Sequence, residues 1–199
     1  MDGWPRRSVI IMNIWFPRIQ WRLLAGMLGI AAIGALVAGS YGIIHDQITY
    51  SISEEYFTKL KFDQFYYADF GLGRRVFVAE IGFLATWWVG FIVAWFLARM
   101  AVPVWPFKLA LHRSILGCVI VFVCSLCAAG IGYGLGVFHN DDYSNWSVYE
   151  DLGISDIPAF VRVAYIHNAG YLGALIGLIV SVMRMRNQKR TEQVAASDR

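Results

Sequence analysis

Four stretches of the chain run for more than twenty residues without a Lys, Arg or Asp: Leu23–Ile44, Val76–Ala98, Ile115–Phe138 and Val163–Met183. A helix needs roughly 20 apolar residues to cross a hydrocarbon core about 30 Å thick. In that core no water is available to satisfy backbone N–H and C=O groups, so such runs must be helical. The expected fold is therefore all-α, a polytopic membrane protein built as a bundle of four transmembrane helices. Composition agrees: 58% of the 199 residues are apolar, 16% are charged and the mean hydropathy is +0.52. Four spans leave no length for a separate soluble domain, so residues 1–199 are read as one membrane domain. The first run is longer than the core of a cleavable leader, about 7–15 residues, and reads as a retained span.

The flanks set an expected orientation. Twelve of the 17 basic residues lie before the first run, between the second and third, and after the fourth. The other two connections, His45 to Arg75 and His139 to Arg162, carry five bases against ten acids. The positive-inside rule then places both termini in the cytoplasm and both acidic connections outside, as expected of a multi-pass protein of a bacterial cytoplasmic membrane. The lead-in before Leu23 mixes Trp4, Trp15, Phe16 and Trp21 with arginines and suits the headgroup region. The polar tail 184–199 is expected to be disordered.

The connection after the first run has a pattern of its own. Ser51-Ile52-Ser53-Glu54 fits a capping box with Ser51 as the accepting cap, which predicts a short interfacial helix over Ile52 to Phe62. The following "DQFYYADFGLG" is aromatic and glycine-bearing and suits a fold back over the bundle mouth. The second connection, "HNDDYSNWSVYEDLGISDIP", is acidic, carries Trp146 and Tyr149, and is a candidate lid. These two connections are also where a protein partner would dock; the other expected partner is the lipid bilayer. Nothing in the chain suits nucleic acid, a Ser-His-Asp hydrolase or a phosphate loop.

The topology gathers ionisable groups at one membrane level. His45 ends the first run, His139 ends the third, His167 lies near the start of the fourth, and Glu80 is about one turn inside the second. Ionisable groups in a membrane are costly and normally face the interior with a partner, which makes Glu80 and His167 functional candidates. Arg74, Arg75 or an imidazole are the expected partners of Glu80. Imidazole with carboxylate is a ligand set for zinc, iron, copper or manganese. The candidate ligands are His45, Glu55 and His167, with Asp46 and Glu80 as further ligands or as orienting groups. No HExxH, ExxH or paired CxxC spacing is present, so the ligands must converge from different helices.

Further polar or packing positions are Gln47, Thr49, Tyr56, Asn168 and Tyr171, the last four residues from His167 and so on the same helix face. Trp87 and Trp88 sit in mid-span, where at least one is expected to pack inside the bundle with its indole N–H bonded. Two other readings stay open. The polar cluster can be structural, or sense pH, in a non-enzymatic partner protein. Alternatively Cys124 and Cys127 can serve a thiol or quinone redox protein, although all three cysteines lie deep in the third run, where buried inert thiols are the plainer reading.

"YGIIHDQITYSISEEYFT", "ATWWVG" and "HNAGYLG" together resemble a family of bacterial integral membrane proteins of about this length that carries no assigned activity. The matching positions are His45, Asp46, Gln47, Thr49, Glu55, Tyr56, Phe57, Thr58, Trp87, Trp88, His167 and Tyr171. The resemblance covers the first, second and fourth runs and implies a shared fold and a shared outer site. Some relatives have a further His-Pro where this chain reads "KLKFDQF", which removes one candidate ligand.

Overall fold

The computed structural model describes residues 21–138 and 152–197. Most of the aromatic lead-in and of the second connection, with His139, Trp146 and Tyr149, lies outside the described residues. Those described form four long apolar helices, each long enough to span a bilayer: α1 (Trp21–Ile52), α4 (Arg74–Ala101), α5 (Phe107–Val137) and α6 (Ile157–Ser197). Between α1 and α4 lie α2 (Glu54–Tyr56), a π-helical turn (Phe57–Lys61), α3 (Phe62–Gln64) and a 3-10 turn (Tyr66–Ala68). The protein is an integral membrane protein, an all-helical bundle of four spans.

α1 does not stop at Ile44 but continues through the polar residues to Ile52. No Gly or Pro interrupts His45–Ile52, and the hydroxyls of Thr49 and Ser51 donate back to the carbonyls of His45 (3.2 Å) and Gln47 (3.0 Å), so these side chains are satisfied within the helix. The helix breaks at Ser53, whose backbone is extended (φ −143°, ψ 104°) and whose Oγ accepts from the Tyr56 N–H at 3.3 Å. Ser53, not Ser51, is therefore the cap, because Ser51 is still inside α1. In the π-helical turn the Phe62 N–H donates to the Phe57 carbonyl five residues back. In the "DQFYYADFGLG" stretch Tyr66, Tyr67, Phe70 and Leu72 are exposed rather than packed into the bundle. α6 is capped by Asp156, which accepts from the Ala159 N–H at 3.0 Å, with Pro158 in the first turn where its missing N–H costs nothing. The tail expected to be disordered continues α6 as helix to Ser197. It is held by Glu192, which accepts from Trp105 Nε1 (2.6 Å) and Arg113 Nη2 (2.5 Å).

The bundle is two close helix pairs, α1 with α4 and α5 with α6. Small residues let the backbones touch. A Cβ built on Gly42 would strike the Gly82 carbonyl, and one on Gly90 the Gly34 carbonyl. In the other pair, a Cβ on Gly132 would come within 2.5 Å of the Tyr165 carbonyl oxygen and one on Gly173 within 2.5 Å of that of Cys124. Hydroxyls bridge each seam: Thr86 Oγ1 lies 2.8 Å from the Ala38 oxygen, and Ser125 and Ser181 donate to the carbonyls of Gly170 (2.9 Å) and Gly117 (3.0 Å). Between the pairs, packing is concentrated at the two ends. One core gathers Met27, Ile30, Leu97, Trp105 and Met185; the other gathers Tyr50, Tyr56, Phe57, Phe160 and Val163. The gap left between these cores places the site.

Candidate functional site

At the end of the bundle nearer Tyr56, three groups converge. Asp46, buried on α1, has its Oδ1 at 3.0 Å from His45 Nδ1 and 3.3 Å from His167 Nε2 of α6. One donor atom from each of the three lies within 4.8 Å of the others. A tetrahedral ion with ligand bonds of about 2.1 Å spaces its donors about 3.4 Å apart, so two of the three separations already suit one ion.

The hydrogen bonding of His167 decides what the gap must contain. Its Nδ1 is 2.9 Å from the Val163 carbonyl, an acceptor only, so Nδ1 carries a proton and donates it. Nε2 then faces the carboxylate oxygen of Asp46. A bare imidazole nitrogen and a bare carboxylate are both acceptors, so a proton or a metal ion must lie between them. Stacking fixes the ring: Tyr56 lies 5.0 Å away at 21°, and His45 meets it edge-on at 4.8 Å. A carbonyl on the far nitrogen is also the arrangement that orients a metal-bound histidine.

The other expected residues fall as follows. Glu55 is not in the group; its carboxylate accepts from Ser155 Oγ (2.6 Å) and the N–H groups of Ser155 (3.1 Å) and Asp156 (2.8 Å). These donors, with Ser155 Oγ foremost, hold its carboxyl below the ordinary glutamate range. It therefore ties the first connection to the start of α6. Among the described residues neither an arginine nor an imidazole bonds Glu80: Arg74 pairs with Glu54 at 2.5 Å, and Arg75 spans Gln47 and Ser51 at 3.2 Å while lying over Tyr50. Among the described residues the Glu80 Oε2 is buried without a hydrogen-bond partner. Gln47 donates to the Arg75 carbonyl at 2.7 Å, Thr49 is buried beneath His45, and Asn168 points outward. Trp87 and Trp88 are 40% and 49% exposed, and neither indole N–H is bonded within the described residues. The inner stripe of α4 is taken by Gly82, Thr86 and Gly90, which turns the tryptophans towards lipid.

A cavity of about 450 Å³ leads away from the cluster between the helix pairs. His45, Asp46, Lys61 and His167 line its polar end; Tyr41 and Tyr171 follow one turn on; below them the walls are apolar down to Ile30 and Leu111. Lys61 and Tyr41 were not among the sequence candidates. Tyr41 had a signal in its four-residue spacing from His45, and its ring packs on His45 at 5.4 Å. Lys61 had none, because the π-helical turn sets where it points. Cys118, one of three free thiols, also lines the cavity.

The fold and this site define a four-span membrane protein with a buried His–Asp–His cluster heading an apolar cavity. Comparison with family models, curated proteins and solved structures finds no match.

Proposed function

We propose that the protein holds a transition-metal ion at His45, Asp46 and His167, on the extracytoplasmic side of a bacterial cytoplasmic membrane. The observation that carries this reading is the His167 ring, whose Nδ1–H is spent on the Val163 carbonyl while Nε2 faces the Asp46 carboxylate across 3.3 Å. Two imidazoles and a carboxylate suit zinc, iron or manganese, and three protein ligands leave a coordination position open, as in catalytic sites. Bound there, a metal supplies a Lewis acid at the head of the cavity. The charge distribution of the connections supports the orientation. The resemblance in "YGIIHDQITYSISEEYFT" and "HNAGYLG" supports a site shared with the proteins that carry those elements.

The test is elemental analysis of detergent-purified protein beside His45→Ala, Asp46→Asn and His167→Ala at matched folding. Near-stoichiometric metal in the wild type and loss in all three variants is the expected result. Metal-free wild type after incubation with Zn²⁺, Fe²⁺ and Mn²⁺, with nitrogen NMR showing both ring nitrogens of His167 protonated, would overturn it. The cluster would then be a proton-bridged structural element.

A further inference from the structure

The cavity has a shape and a charge that the metal reading does not use. Along α1 it extends from Asp46 to Ile30, about 24 Å at 1.5 Å per residue. With a volume of about 450 Å³ spread along that length, the cavity is long and narrow. The volume also lies within the range of about 300–1,000 Å³ common for small-molecule sites. Its entrance is lateral. Ile33 and Val37 of α1 and Ile115 and Val119 of α5 line it while each remains about half exposed, so the opening faces lipid.

At the polar end Lys61 is a cation with no ion pair among the described residues. Lys61 Nζ lies 5.8 Å from the Tyr56 ring centroid and 5.9 Å from that of Phe65. Among the described residues no carboxylate reaches it within ion-pairing distance: Glu54 pairs with Arg74, Glu55 bonds Ser155, and Asp46 bonds the two imidazoles. Burial lowers the pKa of the ammonium, and Asp46 opposes that shift from a distance. The proton or metal between Asp46 and His167 already balances the Asp46 charge, so Lys61 is left positive at the head of an apolar tube. An acidic oxygen at one end with hydrocarbon along the rest complements these walls.

We propose that this cavity binds a single-tailed anionic lipid, a long-chain carboxylate, whose head is held by Lys61 and whose chain lies between the helix pairs. The proposal needs a cation beside Asp46 but not its identity, so a metal-free protein would leave it standing.

The experiment uses the full-length protein in phosphatidylcholine nanodiscs, irradiated with a diazirine-bearing palmitate, with adducts mapped by peptide mass spectrometry. Adducts on cavity residues, competed by palmitate but by neither hexadecanol nor a short-chain quinone, are expected. Lys61→Met should cut labelling about tenfold, the scale of a lost charged hydrogen bond, and Lys61→Arg should keep it. Val119→Trp, placed at a half-exposed rim position that a large side chain can occupy without unfolding the bundle, should block the chain path and abolish labelling. Uniform labelling of all lipid-facing helices, competition by hexadecanol or the quinone equal to that by palmitate, or unchanged labelling in Lys61→Met would each overturn the proposal.

Discussion

Glu55 is a carboxylate that stands apart from the His45–Asp46–His167 cluster and makes structural contacts instead. It lies nine residues from Asp46 in sequence but is turned towards Ser155, where three donors meet it. Those donors favour the charged form, so the folded pKa lies below the ordinary value of 4.5. A depressed pKa means that the contribution to stability is complete above the unfolded value and is lost as pH falls through the folded one. Amide exchange at Ser155 and Asp156, corrected for intrinsic rates, should be slow at neutral pH and accelerate as pH drops below about 4.5, whereas Glu55→Gln should remove the pH dependence. Sequence pattern alone grouped Glu55 with the histidines because a carboxylate in the outer connection completes an imidazole–carboxylate ligand set. Level is legible in a sequence; the direction of a side chain around a helix interrupted by Ser53 and a π-helical turn is not. Asp46 was legible only as an accessory group for the complementary reason: its place at the centre depends on α1 remaining helical beyond Ile44.

At the scale of the helices, the apolar runs announced all four spans, because the cost of unpaired backbone in lipid admits little else. Their ends were less visible. His45–Ile52 reads as loop by polarity, yet its hydroxyls bond back to the helix and extend it by two turns. Small residues permit close approach, and the seams make that requirement unequal from one glycine to the next. Gly42→Ala would drive a methyl group into the Gly82 carbonyl and should cost about 1–3 kcal/mol. Gly29, on the same helix, has nothing within 4 Å of its missing Cβ, and Gly29→Ala should be neutral or stabilise by up to about 1 kcal/mol. Reversible unfolding of both variants in mixed micelles measures the contrast, and equal effects would contradict the assigned seam.

For the whole molecule, α6 is the longest element. Its 41 residues extend about 61 Å, against about 30 Å of hydrocarbon. The excess lies beyond the membrane and is fastened where Glu192 meets Trp105 and Arg113, the guanidinium also lying 4.0 Å from the indole centroid. Glu192→Ala should release this end, seen as faster limited proteolysis after Arg184 with the spans still intact. An unchanged digestion pattern would mean that the helix holds itself. Single cysteines at Phe70 and Ser197, in a background freed of native thiols, should label from opposite sides of intact cells. Phe70 alone should react with an impermeant maleimide if the charge pattern reports orientation correctly.

Only Val102–Pro106 joins the two halves of the chain, and each half is zipped along its own glycine seam. Each is thus a helical hairpin, and the chamber between them is walled by both and belongs to neither. Whatever fills it acts as mortar as well as cargo. By thermodynamic reciprocity, the free energy with which docking favours the occupant is the same free energy with which the occupant holds the hairpins together.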